Sequence, residues 1–274
     1  MRNFEVDYVN LVSTVITAGD FRSTRAGPTL SVFGTTLQID CLEEGFFPIL
    51  TQRKIQLQGI LGELAAFLRG AEDLQTFKDF GCNYWDMNAA EWYPNRGLPT
   101  KEQIVGRIYG VQWRSWAGAV DQLHTLVQNL KSDPGSRRHL LTTYNPAELD
   151  EMCLPPCHLL TQYNVRNRKL DCIVYMRSVD LCLGLPSDVI LYATLLLVLC
   201  NETGYDPGKL TFMLADTHVY LNHVDQFQIH AAKPMHTLPR FALRGEAGIN
   251  TFVPEDLRLS NYVNEGVHSY VFNK

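Results

Sequence analysis

The run from Val189 to Cys200 is interrupted only by Tyr192 and Thr194 in an otherwise apolar stretch. A helix that is apolar on all sides must be covered on all sides, by lipid or by the protein itself. The run is shorter than the roughly 20 residues a bilayer requires. The sequence therefore predicts a buried helix after Pro186, wrapped by other layers. The chain can supply them: it has 274 residues, 46% hydrophobic and only 19% charged. That is enough for one large domain or two small ones, and it excludes disorder on a large scale.

Other elements follow from periodicity. Phe4, Tyr8, Leu11, Val12, Val15 and Ile16 recur at helical spacing, and Gly19 closes that helix. Thr29 to Cys41 is rich in β-branched residues and predicts strands. Leu57, Ile60, Leu61, Leu64, Phe67 and Leu68 form one helical face, with Gly70 as the stop. Leu123, Leu126, Val127 and Leu130 form another, before an Asp133-Pro134-Gly135 turn. Arg138 to Tyr144, His158 to Val165 and Leu170 to Arg177 read as three strands in series, and Leu210 to Tyr220 as a further one. Glu91 to Glu102 is polar with two prolines and is expected to be a loop. Strands and helices mix without regular alternation, so the expected class is α+β.

Several classes of function are disfavoured. The net charge of -5 argues against a nucleic-acid surface, which is normally basic. No apolar run spans a membrane, and residues 1–18 lack the continuous apolar core of a signal peptide. Seven cysteines without a CxxC pair fit reduced thiols in a cytoplasmic compartment.

Four constellations can carry chemistry. In Leu154-Pro155-Pro156-Cys157-His158, two prolines fix the backbone ahead of a thiol, which needs nearby positive charge to ionise. Taken alone, a buried packing cysteine is the simpler account. Arg25, the Ser136-Arg137-Arg138 run and Arg177-Ser178 offer guanidinium forks suited to a phosphate, although single arginines are usually solvated surface charge. In Asp216-Thr217-His218-Val219-Tyr220, alternate residues share one strand face. Metal ligation by His218 with His223 or Asp216 matches no standard spacing, and a sugar-binding or structural role fits better. Glu63 lies at the margin of an apolar helical stripe, where half-burial raises a carboxyl pKa and equips it to shuttle protons, although on position alone a solvated glutamate at the helix edge is the simpler account.

The order of these blocks resembles the thymidylate synthase family from roughly Asp20 to His230. LPPCH resembles the nucleophile motif and SRR the phosphate arginines that reach across a dimer. MRSVDLCLGLP resembles the arginine-serine-aspartate and glycine-leucine-proline block, and DTHVYLNH the ribose-binding strand. GRIYGVQWRSW and GELAAFLRG resemble two further blocks. The resemblance implies a thymidylate synthase-type fold over residues 1–274 as a single catalytic domain. It also implies a mixed sheet packed with helices, and a homodimer formed through the sheet.

The departures from the family carry the specificity. Where the family reads GLPFN, this chain reads Gly184-Leu185-Pro186-Ser187-Asp188. In this respect, and in Met176-Arg177-Ser178, it is similar to deoxycytidylate hydroxymethylases of phages. An amide side chain complements uracil, whereas a carboxyl group accepts from the amino group of cytosine and can share a proton with its ring nitrogen. Asp188 also suits a first helical turn, where the dipole favours an acid. In Tyr84-Trp85-Asp86-Met87-Asn88 the family has a second tryptophan where Asn88 stands, and a small polar residue there admits water. The loop near Arg25 is rearranged, leaving Arg22 as an alternative phosphate residue. The tail, Tyr270 to Lys274, is atypical.

By this resemblance the enzyme transfers a one-carbon unit from methylenetetrahydrofolate to carbon 5 of dCMP, giving 5-hydroxymethyl-dCMP. Cys157 is the nucleophile and Glu63 the proton shuttle. Asp188 reads the base, and Tyr109 and His158 line the site. Arg25, Arg137, Arg138, Arg177 and Ser178 hold phosphate, and His218 and Tyr220 hold the sugar. Trp85, Asp180 and Gly184 contact folate or base. No metal, nucleic acid or membrane is expected, and the location is cytoplasmic, including that of a phage-infected host. The alternatives are a dCMP 5-methyltransferase, a dUMP-using thymidylate synthase, a metal-dependent hydrolase on His218 and His223, and an inactive nucleotide-binding module.

Overall fold

The computed structural model describes residues 4–96 and 103–273. Helix α1 (Phe4–Ala18) ends where the Gly19 amide donates to the Val15 carbonyl at 3.0 Å. A β-carbon on Gly19 would stand 2.4 Å from that oxygen, so only glycine turns the chain there. Strands β1 (Asp20–Thr24) and β2 (Gly27–Ile39) follow. The β-branched stretch is therefore one long strand, and Cys41 already begins a 3₁₀ turn. Helix α2 (Leu57–Arg69) stops at Gly70, whose φ of 64° is left-handed. Helices α3 (Leu74–Asp79), α4 (Asp86–Arg96), α5 (Tyr109–Arg114) and α6 (Gln122–Ser132) come next. α6 is started by Asp121, whose carboxylate accepts from the His124 amide at 2.8 Å.

Strands β3 (Leu140–Thr142), β4 (His158–Arg166) and β5 (Lys169–Asp180) lead to helix α7 (Gly184–Thr203). Strand β6 (Asp206–Tyr220), helix α8 (Val224–Ala231) and strands β7 (Arg240–Leu243) and β8 (Leu257–Ser260) complete the described elements. Two expectations are corrected. Glu91 to Arg96 belongs to α4 rather than to a loop, and the remainder of that expected loop, 97–102, lies outside the described residues. The apolar helix runs for 20 residues, so by length and composition alone it could cross a membrane. Most of it is buried inside the protein, which makes it a core helix.

A mixed six-stranded sheet in the order β1-β2-β6-β5-β4-β3 organises the molecule, with β7 and β8 as a separate pair. Among the described strands only β5 and β6 run parallel in it, and α7 is the crossover that joins them, as a parallel pair requires. The α+β class and the mixed, helix-packed sheet expected from the sequence are what the chain adopts. α7 packs on β5, β6, α2 and α6. Beneath it, Val174, Phe212 and Leu37 stand in register across β5, β6 and β2, all buried. On the opposite face, Leu160, Tyr175 and Met213 stand in register across β4, β5 and β6. They are 38%, 39% and 44% exposed, so this face of the sheet is apolar and open.

Candidate active site

A cavity of about 600 Å³ opens where the start of α7, the ends of β5 and β6, α4 and the C-terminal tail converge. That volume is typical of small-molecule sites. Cys157, Glu63, Asp188, Tyr109, His158, Ser178, Tyr220, Trp85, Asp180 and Gly184 all line it. The lining residues run from Glu63 to Asn273 in the chain, and the β5–α7–β6 crossover supplies Ser178, Asp180, Gly184, Asp188 and Tyr220 among them.

Cys157 is fastened from both sides. Its amide donates to the Tyr109 hydroxyl oxygen at 2.8 Å, and its carbonyl accepts from the Arg177 amide at 2.8 Å. Among the described residues, the carbonyls of the two preceding prolines are taken up by a side chain. Arg177 fills them, donating from Nε to Pro156 at 2.6 Å and from Nη2 to Pro155 at 2.8 Å. The same Nη2 lies 3.7 Å from Cys157 Sγ. Burial pushes the Cys157 thiol up from its ordinary value and Arg177 opposes this, so the guanidinium only partly offsets desolvation in the isolated chain. All seven cysteines are free thiols.

Glu63 projects from α2 into the cavity, where Trp85 Nε1 donates to its Oε1 at 2.8 Å. Desolvation raises its pKa to about 7, against the opposing pull of Trp85. Asp188 sits in the second turn of α7 beside this group. Burial first, then the charges of Glu63 and Asp180, hold its carboxyl well above the usual carboxylate range. His158 has its Nε2 3.9 Å from Asp188 Oδ1. The Tyr109 ring stacks on the imidazole with centroids 3.9 Å apart and an interplanar angle of 16°. Burial pushes the His158 pKa down to about 3, so the ring is neutral.

Asp180 accepts from the Cys182 amide at 2.8 Å and faces His223 Nδ1 at 3.7 Å. His223 Nε2 in turn lies 2.6 Å from the Val271 carbonyl, pinning the tail. Burial lowers the His223 pKa, but its contacts to Asp180 and to that carbonyl outweigh it and leave the value raised. Among the described residues, Asp180, Cys182 and His223 bring potential metal-ligand atoms within 4.8 Å of one another. His218 is not part of that group. It turns Nδ1 to Asp216 Oδ1 at 3.2 Å, and its ring meets Tyr220 edge-on at 5.2 Å. Among the described residues, no group of three or more potential metal ligands includes His218.

The expected phosphate arginines are not gathered within one chain. Arg25, Arg137 and Arg138 are exposed and do not line the cavity, although Arg25 is near enough to lower the Tyr220 pKa against the burial that raises it. Arg22 is bound to Asp216 at 2.5 Å. Arg177 spends its fork on the prolyl carbonyls. Sequence reasoning missed other lining residues, among them Tyr84, Met87, Ser187, Phe272 and Asn273. Tyr84 was adjacent to a residue already singled out; the tail residues carry no periodic signal. Asn88, singled out as a departure, does line the cavity.

A family model described as thymidylate synthase matches residues 6–270 of the chain. Over 253 residues the chain is 37% identical to the protein named Thymidylate synthase 1/2 of Encephalitozoon cuniculi (strain GB-M1), covering 87% of this chain and 86% of that one.

Proposed function

The chain belongs to the thymidylate synthase family, and from that premise we propose that it transfers a one-carbon unit from methylenetetrahydrofolate to carbon 5 of dCMP, giving 5-hydroxymethyl-dCMP. The observation that carries the base preference is Asp188. Desolvation, with the charges of Glu63 and Asp180, holds its carboxyl well above the usual carboxylate range and so favours the protonated form. A neutral acid donates through one oxygen and accepts through the other. The ring nitrogen of cytosine takes the donated proton, and its amino group donates to the second oxygen.

The other residues divide the work. Cys157 as thiolate adds to carbon 6 of the base, with Arg177 beside the sulfur favouring ionisation. Carbon 5 then becomes nucleophilic. Glu63, with a pKa of about 7, takes and returns protons through water near neutral pH. Asn88, lining the cavity in place of a second tryptophan, lets water add to the exocyclic methylene left at carbon 5 once tetrahydrofolate has departed, giving the hydroxymethyl group as Cys157 thiolate leaves carbon 6 and the ring double bond is restored.

The cavity fits a flat folate ring. Tyr84 and Phe272 line it while 47% and 54% exposed, beside the nearly buried Trp85, and half-bare rings favour stacking. Trp85, Asp180 and Gly184 would hold that side of the site. When bound, methylenetetrahydrofolate supplies the carbon at the oxidation level of formaldehyde. Arg25, Arg137, Arg138, Arg177 and Ser178 are assigned to the phosphate, and His218 and Tyr220 to the sugar. The single domain spans 1–274 and acts in the cytoplasm as a homodimer. The open row of Leu160, Tyr175 and Met213 supports a two-fold contact through the sheet, since exposed apolar patches of this kind mark interfaces.

The relative's name favours a second reading, thymidylate formation from dUMP. Comparing kcat/KM for dCMP and dUMP in wild type and Asp188→Asn separates the two. The wild type is expected to prefer dCMP by roughly four powers of ten, the scale of a polar mismatch in a buried site. Asp188→Asn is expected to flatten or reverse that ratio. An unchanged ratio would remove the reason for a cytosine assignment.

A further inference from the structure

A neutral carboxyl at position 188 does not by itself choose between the bases. With its proton on one oxygen it matches cytosine; with the proton on the other it matches uracil, whose ring N–H donates and whose carbonyl accepts. Something must fix which oxygen carries the proton. The neighbour placed to do so is His158, whose Nε2 faces Asp188 Oδ1 at 3.9 Å, within reach through one water or a small shift.

The tautomer of His158 is set from behind. Tyr192 Oη lies 2.5 Å from His158 Nδ1, and both side chains are buried. Among the described residues the Tyr192 hydroxyl has this one hydrogen-bond partner. Were Nδ1 the donor, the phenolic hydrogen would be buried without an acceptor, which is costly. Tyr192 therefore donates and Nδ1 accepts. A neutral imidazole with a bare Nδ1 carries its hydrogen on Nε2, and that hydrogen points at Asp188. The Tyr109 ring, stacked at 3.9 Å, holds the imidazole plane so that the direction does not drift.

We propose that Tyr192 is a positioning residue for base choice: by donating to His158 Nδ1 it keeps an N–H aimed at Asp188 Oδ1, which makes Oδ1 the acceptor and leaves the proton on Oδ2. This rests on the cytosine reading, in which Oδ1 receives the amino group of the base. The low proton affinity of buried His158 keeps the ring neutral, so the tautomer is the variable that matters. Tyr192 also accounts for one of the two polar interruptions of the apolar helix.

The test is ¹⁵N NMR of the full-length protein labelled at histidine, with kcat/KM for dCMP and dUMP measured in wild type and Tyr192→Phe. In wild type, His158 Nδ1 is expected to show the shift of an unprotonated nitrogen and Nε2 that of a protonated one. In Tyr192→Phe, the two shifts should average, and the dCMP:dUMP ratio should fall by about tenfold or more, as expected when one buried hydrogen bond is lost. A merely structural role would lower both nucleotides together and leave the ratio alone. A protonated Nδ1 in wild type would overturn the proposal, as would an unchanged ratio in a folded Tyr192→Phe. If that variant does not fold, the wild-type spectrum decides. A wild type with bare Nδ1 that prefers dUMP would remove the cytosine reading while upholding the tautomer.

Discussion

Cys157 and Glu63 show how far single residues speak for themselves. A cysteine after two prolines was legible as a candidate because the chain around it was. Its fastening by Tyr109 and Arg177 was not, since those partners lie 48 and 20 positions away. Cys157→Ser should leave nucleotide binding largely intact and cut turnover by several powers of ten. Retention of more than about a tenth of the wild-type rate would rule out covalent catalysis. Glu63 offers a test through stability. Its folded pKa of about 7 lies above its ordinary 4.5 because burial disfavours the charge. As pH rises from 4.5, the unfolded chain therefore loses this proton first, so stability falls until about pH 7 and then levels off, a cost of roughly 3 kcal/mol. Glu63→Gln should raise the melting temperature above pH 7, match wild type near pH 4.5, and lose activity. A gain equal at both pH values would contradict a buried, proton-holding carboxyl. The role of Arg177 was the least legible, because nothing in the sequence says that its fork is taken up by backbone oxygens.

At the scale of elements, glycine, periodicity and caps carried most of the reading. The α1, α2, α6 and α7 helices, and strands β4 to β6, follow from apolar spacing and stop signals. α4 did not, because a polar stretch with Pro94 and Pro99 mimics a loop, and β1 was hidden by its full exposure. Short α5 carries Tyr109 but too few turns to show a period. Its placement depends on Gly110, where a β-carbon would come within 2.5 Å of the Phe67 backbone on α2. That close approach sets Tyr109 against both Cys157 and the Glu63 helix. Gly110→Ala should destabilise the fold by about 1–3 kcal/mol through overpacking and lower kcat/KM as Tyr109 moves off Cys157. Gly135→Ala, which meets nothing within 4 Å, is the control and should do neither. Equal melting temperatures for both variants would show that the α2–α5 contact has room to spare.

For the whole molecule, the ordered motifs made the family and its fold legible, whereas for assembly the sequence offered only the Ser136-Arg137-Arg138 run. Arg137 and Arg138 are exposed just ahead of edge strand β3 and do not line the cavity of their own chain. A two-fold partner would bring them to its site. Mixing inactive Cys157→Ser with inactive Arg138→Ala should then restore part of the activity through hybrid dimers carrying one intact site. No recovery after verified subunit exchange would count against shared sites. The central claim concerns what the assembled enzyme makes. The most direct measurement is one incubation of the protein with dCMP, dUMP and methylenetetrahydrofolate, with nucleotides identified by mass and the folate by absorbance. The account predicts that dCMP gains CH₂O while tetrahydrofolate is released. Gain of CH₂ by either nucleotide, with stoichiometric dihydrofolate, would contradict it.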